Sequence, residues 1–439
     1  MTSAPASPMK GRPPGRRCRR SPGRWWTPPA KWWLVASPVS PFRAAPPPKC
    51  WRNAACISPS REGIWLEPPP DQTMKLPKQL QRIEEYLAER FPVEKMNYAS
   101  MVKKKEVPVH RLSWGYYMGG LALFFFMVQV VTGLMLLFYY QPTVSDAHAS
   151  VEYITNHVPG GALVRNIHSW ASSLMIASVM VHLLTAFAMK AFSKPREITW
   201  VTGVALLGIT FAFGFTGYLL PWHQIAVNAT KIGLQTVEEV GQYLPGQMTA
   251  WPAAIKEIIQ GEASVGQATL SRFFALHVII LPLGILATLG IHLLSVQLHG
   301  MSQGIDGQPK RLEKFFPTFF LKDLRVWGVA FMALFVLGLC LPFESLFSYP
   351  LFEPFNPKGS TPDGIKPEWY FFWVYYPLEL LPLWVIMLGS ALLGGVLVGT
   401  PWIFRNTSRR TLVILAIAAG AYLVVMTLFG EQIYHLFKG

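Results

Sequence analysis

Two apolar stretches of this chain each carry a pair of histidines, and nothing else in the sequence limits the fold so tightly. The first runs from Val164 to His182 and holds His168 and His182; the second runs from Phe273 to His292 and holds His277 and His292. Each stretch can cross a bilayer, which takes about 20 apolar residues. Histidines inside a membrane are costly and tend to serve function. The spacings of 14 and 15 residues are near four helical turns, so each pair shares a helix face, about 21–23 Å apart at 1.5 Å per residue. One metal ion cannot bridge that distance. Two stacked sites, each taking one histidine from each helix, satisfy it, and iron held in a haem by two imidazoles has this requirement. The competing reading is four core histidines hydrogen-bonded to their neighbours.

Composition sets the environment. Hydrophobic residues make up 51% of the 439 and charged ones only 14%, so a polytopic membrane protein is expected rather than several soluble domains. The net charge of +15 is uneven: residues 1–73 hold twelve Lys/Arg against three Asp/Glu. The basic excess is therefore mainly a property of tail and loops, and nucleic-acid binding is not indicated. Cys18, Cys50, Cys56 and Cys340 form no CxxC or CxxCH, which removes zinc knuckles and covalent c-type haem attachment.

Residues 1–73, rich in Pro, Arg and Trp, show no period that buries a core, and disorder is expected. The run Arg16-Arg17-Cys18-Arg19-Arg20 lacks a following apolar region long enough for a targeting signal. Met74 is expected to be the true start, with a genuine basic extension as the alternative. Residues 74–110 follow as a surface helix and linker: Leu76, Leu80, Ile83 and Leu87 recur at helical spacing among charged residues, the pattern of a helix lying on the membrane surface or packing on loops.

Seven apolar spans lie at about 113–140, 162–189, 198–221, 272–298, 325–342, 372–399 and 411–430, each near the bilayer length. Lys103, Lys104, Lys105 and Arg111 precede the first. Alternate loops carry Lys190, Lys194 and Arg196, then Lys310, Arg311, Lys314 and Lys322, then Arg405, Arg409 and Arg410. The rule that cationic loops stay inside places the N-terminus in the cytoplasm and the C-terminus outside. His168 and His277 then lie near the outer face, and His182 and His292 near the inner face. The fold class is all-α: a four-helix bundle over 111–300 followed by three further transmembrane helices over 301–439.

Gly119 and Gly133 on the first span are 14 apart, as are Gly203 and Gly217 on the third, in register with the histidines. Glycine allows close backbone approach, which a flat macrocycle between helices needs; small residues also serve ordinary membrane helix packing. Arg165 and Arg272 flank the outer histidines and are suited to pairing a haem propionate, or to snorkelling toward headgroups.

At these residues the chain resembles cytochrome b of the cytochrome bc complexes, over about residues 74–439. Gly217-Tyr-Leu-Leu-Pro-Trp222 is similar to the family's GYxLPW, Ser264–Phe273 resembles the start of its fourth helix, and Pro367-Glu368-Trp369-Tyr370 looks like its quinol-site PEWY. The 15-residue spacing, Tyr139–Asp146 and Lys194–Gly203 resemble the photosynthetic branch, whose four-helix and three-helix parts are separate proteins. Here they look fused near 300–322. Two departures stand out. That branch and some Gram-positive relatives carry a Cys that tethers an extra haem, where this chain has Tyr117, so the thioether is absent. Where that branch has an Arg-Lys pair, this chain has Gln297 and Leu298, and His299 is a candidate inner quinone residue or simply faces water.

The resemblance implies two b-type haems, outer on His168/His277 and inner on His182/His292. It implies quinol oxidation at the outer face beside Pro367, Glu368, Trp369 and Tyr370, with Tyr218 and Trp222 lining the pocket and Glu368 as proton acceptor. One electron is expected to go to a Rieske-type iron–sulfur protein and the other inward to reduce quinone. The chain would be a subunit of a quinol–cytochrome c reductase with a c-type cytochrome partner, homodimeric in the cytoplasmic membrane and coupled to proton translocation. Two alternatives stay open: a di-haem anchor of another respiratory dehydrogenase, which would lack PEWY and the three-helix part, and a secondary transporter with structural histidines, which would show inverted repeats and broken helices.

Overall fold

Long runs of Leu, Val, Phe and Ala satisfy their backbone hydrogen bonds internally only as helices when water is absent, and among the described residues seven helices of 21 to 33 residues are long and apolar enough to cross a membrane. In this computed structural model residues 78–91, 105–305, 311–343, 353–362 and 365–438 are described, all within one unit, Lys75–Gly439. The basic tail, Met74 as the start, Leu76, and Cys18, Cys50 and Cys56 lie outside the described residues.

In chain order the elements are α1 Lys78–Arg90, β1 Glu106–Val109, α2 Gly115–Leu137, α3 Ala147–Asn156, α4 Gly161–Ala188, α5 Glu197–Leu219, α6 Gln224–Glu239 and α7 Trp251–Gln260. Then come α8 Gln267–His299, β2 Arg311–Lys314, α9 Phe320–Cys340, α10 Phe372–Leu380, α11 Leu383–Ile403 and α12 Arg409–Lys438. Helix α2 packs on α4, and α5 on α8, while α4 also meets α9 and α12. Between the two histidine levels lies an apolar layer of Phe125, Phe126, Met175, Ile285 and Leu334. Many large side chains on the outward faces, among them Val131, Leu283, Val329 and Leu392, stay exposed, as expected where lipid is the solvent.

One irregular turn reconciles the unequal spacings. Helix α8 contains a π-turn at Leu276–Ile280, which includes His277. Such a turn takes in one extra residue. Fifteen residues on α8 therefore cover nearly the same rotation as fourteen on α4, and both pairs keep to one face.

Three features differ from the sequence expectation. The span anticipated at 372–399 is broken: α10 ends at Leu380 and α11 begins at Leu383, with Leu381 extended at φ −117° and ψ 150°. Pro382 has no N–H to donate and forces its predecessor out of the helical region. A two-stranded antiparallel ribbon pairs Glu106–Val109 with Arg311–Lys314, which ties the N-terminal linker to the junction between the two parts. The fifth membrane helix starts earlier than expected, at Phe320, and so includes Asp323.

Helix α1 exposes Leu80, Ile83 and Leu87 along one side, the face that a membrane surface would cover. Its last residue faces the other way. Arg90 is buried and its guanidinium donates to Glu197 at 2.7 Å, at the first turn of α5. Removing one member of a buried pair leaves the other charge stranded, at a cost of about 3–5 kcal/mol. Glu197→Ala is therefore expected to free α1, seen as faster proteolysis within 78–91 and a lower Tm. Parental cleavage and Tm would show that α1 is held without the pair.

Candidate functional site

The four intramembrane histidines form two levels. His168 faces His277 within electrostatic reach, and His182 faces His292. All four rings are half-buried in the bundle. Each lies against a glycine of a neighbouring helix. A Cβ on Gly133 would come 3.4 Å from His168 Cε1, one on Gly119 3.0 Å from His182, one on Gly203 3.2 Å from His292, and one on Gly217 2.7 Å from His277. The gap that each glycine leaves is thus taken by an imidazole ring.

Three of these rings have their tautomer set by threonine. Thr132, Thr202 and Thr216 donate to carbonyls one turn back in their own helices, Val128 at 2.7 Å, Ile198 at 2.8 Å and Ala212 at 2.8 Å. With its proton so used, each hydroxyl oxygen accepts from histidine. The Nδ1 atoms of His168, His292 and His277 lie 2.9, 3.1 and 3.1 Å away. A proton on Nδ1 leaves the lone pair on Nε2, the form that ligates metal. His182 differs: its Nδ1 has the Gly115 backbone as neighbour but no hydrogen-bond partner of good geometry. Among the described residues no three metal-ligating side chains cluster. A metal held here would have two protein ligands and take the rest from another group, which suits haem.

A carboxylate stands on the turn that packs against α4 and α5 near the His168/His277 level. Burial pushes Glu368 up to about 7. Its neighbours in sequence are wedged between two membrane helices. Trp369 Nε1 donates to Ser173 Oγ on α4 at 3.3 Å, and buried Tyr370 puts its hydroxyl where Gly214 of α5 lacks a side chain. Tyr370 is close enough to Glu368 and Tyr218 to feel both. Pro367 leads into this turn from the loop. Trp222 sits at φ 51° and belongs to an apolar cluster with Leu219, Val227 and Phe273; Tyr218 stands edge-on to His223 at 5.9 Å.

Other predicted residues are placed as follows. Arg165 reaches Thr155 Oγ1 at 3.4 Å and lies near His223. Arg272 is not brought to the histidines: its guanidinium donates to the Glu257 carbonyl at 3.0 Å and to that of Ile258. His299 bonds to the Arg90 backbone. Tyr117 stacks on Phe319 with ring centroids 5.0 Å apart, filling the position where a tethering cysteine would stand.

Several residues escaped the sequence reading. The threonines carried a signal, since Thr132-Gly133, Thr202-Gly203 and Thr216-Gly217 are three Thr-Gly pairs in register with the histidines. His223 is buried, caps α6 by accepting from the Ala226 N–H at 3.2 Å, and is held down to about 3 by burial, with His148 and Arg165 nearby. Asp323 packs against Gly120 with Oδ1 buried and unpartnered. Lys105 donates to Val296 O at 3.0 Å and Gln297 Oε1 at 2.9 Å, and burial pushes it down to about 8. No sequence pattern pointed to these last three.

The chain is similar to known proteins. A family model described as cytochrome b/b6/petB matches residues 102–300. A cytochrome bc complex cytochrome b subunit of Chlorobaculum thiosulfatiphilum is 40% identical over 365 residues, covering 79% of this chain and 80% of that protein. Cytochrome b6 of Synechococcus elongatus is 38% identical over 223 residues, 51% of this chain and 99% of the relative. Among solved structures, a hyperthermophilic respiratory Complex III chain superposes with a TM-score of 0.66 at 27% identity, covering 80% of this chain and 94% of that one.

The glycine contacts grade the effect of a methyl group. At Gly217 the added carbon would sit 2.7 Å from His277, and at Gly133 an ordinary 3.4 Å from His168. Gly217→Ala is expected to destabilise by about 1–3 kcal/mol through overpacking. Gly133→Ala is expected to be neutral or stabilising by up to about 1 kcal/mol through helix propensity. Thermal unfolding of the two purified variants checks the order.

Proposed function

We propose a function from one premise: the chain belongs to the cytochrome b family of bc-type complexes, membrane proteins of respiratory electron transport. It oxidises quinol at the Glu368 end and passes electrons across the bilayer to the His182/His292 end, where quinone is reduced. The observation that carries this is the pair of facing histidine levels, three of whose rings are set by threonine to present Nε2. The residues fit two b-type haems, one on His168 and His277 and one on His182 and His292. Bound there, haem supplies one-electron carriage. The Arg165 guanidinium suits a propionate of the first. Arg272, engaged with α7 carbonyls, serves the fold instead.

Quinol gives up two protons with its two electrons, so a base is needed where it reacts. Glu368, half-buried and raised to about 7 by desolvation, is half ionised near neutrality and can take one proton. Tyr370 and Trp369, fixed on α5 and α4, hold its backbone. Tyr218 lines the same side. At the other end Asp323, with an unpartnered oxygen, is placed to give a proton to reduced quinone. The loop charges support an inner His182/His292 end, with the N-terminus cytoplasmic in a cell's inner membrane. That orientation turns quinol oxidation and quinone reduction into proton translocation. A Rieske-type iron–sulfur protein, a c-type cytochrome and a second copy of the complex are the partners this reading requires. The family match ending at residue 300 supports a four-helix part over 111–300 and a three-helix part over 301–439.

Two measurements test the reading. His182→Ala is expected to abolish the second haem and keep the first, because the sites share no ligand; a reduced-minus-oxidised spectrum with both haems intact refutes the pairing. Glu368→Gln keeps size but cannot ionise. It is expected to slow quinol oxidation about 10²–10⁴-fold with both haem spectra normal. The parental rate should rise with pH through about 7, as the raised carboxyl loses its proton and becomes a base, and the Gln variant should lack that limb. Parental rates in the variant across this range would place the base elsewhere.

A further inference from the structure

The loop that leads to Glu368 is read by a single amide side chain. Gln224 opens α6, directly after the Pro221-Trp222-His223 corner, and is buried. Its Oε1 accepts the Asn356 N–H at 2.8 Å, and its Nε2 donates to the Ser360 carbonyl at 3.4 Å. Its own backbone N–H donates to the Glu353 carbonyl at 3.1 Å. Between these contacts the loop makes a turn closed by Gly359 N–H to Asn356 O at 3.0 Å, with the Lys358 N–H on Asn356 Oδ1 at 3.0 Å. A Cβ on Gly359 would meet Gln224 Nε2 at 3.3 Å, so the turn lies directly against the amide.

We propose that Gln224 is a positioning residue of the quinol site, a two-pronged clip that holds the turn Asn356–Ser360 of the three-helix part on the four-helix part and so sets where Glu368 stands. The inference rests on the reading of Glu368 as the quinol base. The distal end of the same loop is fixed separately: Tyr375 donates to the Ile365 carbonyl at 3.3 Å and Trp369 to Ser173. Both ends of the path to Glu368 thus rest on the four-helix part or on α10, and the clip supplies the proximal hold. Only an amide fits, since one prong must accept from N–H and the other must donate to C=O. Phe355 provides a second, independent hold through Trp222, at 6.0 Å between ring centroids, and Lys231, at 4.7 Å from the ring. Loss of the clip therefore loosens the loop without detaching it.

The test compares Gln224→Met, which removes both prongs, with Gln224→Glu, which keeps length and acceptor but turns an oxygen toward the Ser360 carbonyl. Both are studied in membranes holding the assembled complex, with Glu368→Gln as reference. In Gln224→Met, hydrogen exchange at the Asn356 amide is expected to quicken about tenfold, and it should stay protected in Gln224→Glu. Both variants should keep normal haem spectra, raise KM for a short-chain quinol or lower kcat by about tenfold, and move the limb of the pH profile below 7 as water reaches Glu368. Unchanged exchange at Asn356 in Gln224→Met overturns the clip. Parental KM, kcat and pH limb in both Gln224 variants, while Glu368→Gln is slow, overturns the positioning role alone. A parental rate in Glu368→Gln instead brings down the reading of the base, and the exchange result still reports on the clip.

Discussion

A neutral imidazole in an apolar bundle has one N–H that must be paired and one lone pair that is left over. The interior charges about 1–3 kcal/mol for a buried donor without an acceptor. Here that demand is met by threonine hydroxyls whose own protons are already given to carbonyls in their helices. The acceptor can then face only Nδ1, and the ligating atom has to be Nε2. Ring orientation, tautomer and the direction of any metal bond follow from this one hydrogen bond. The glycine after each threonine completes the arrangement, because its missing side chain lets the ring lie close enough to reach the hydroxyl.

The same constraint explains the helix geometry around it. The hydrogen bonds need α4 and α8 to present histidines at matching depths. Helix α8 has one residue more between its histidines, and the π-turn at His277 absorbs it. Between the levels, Phe125, Phe126, Met175 and Ile285 form a dry layer, which keeps the two proposed haem sites separate while leaving them in one bundle. His182, which lacks a threonine, shows that the pattern is not uniform: its glycine, Gly119, follows Met118 instead.

At the Glu368 end, the chemistry depends on contacts between the two parts of the chain. Burial of a carboxylate is costly unless it gives up its charge, and the raised Glu368 pKa expresses that cost. The turn beside it rests on α4 through Ser173 and on α5 through Gly214.

Apolar run length marks the membrane class and the seven spans, helical period puts each pair of histidines on one helix face, and the PEWY turn is a contiguous motif. The sequence also contained the Thr-Gly pairs, legible once the histidine register was known. Other features come from packing. A π-turn, the break at Leu381-Pro382 within a span read as continuous, and the ribbon of β1 with β2 arise from backbone geometry that periodicity does not encode. Asp323, His223 and Gln224 gain their character from burial against residues about 100 to 200 positions away in some cases, and Arg272 meets the α7 carbonyls because α7 folds back onto it. Burial and hydrogen-bond partners at such separations depend on how helices pack, and packing is settled only when the whole bundle closes.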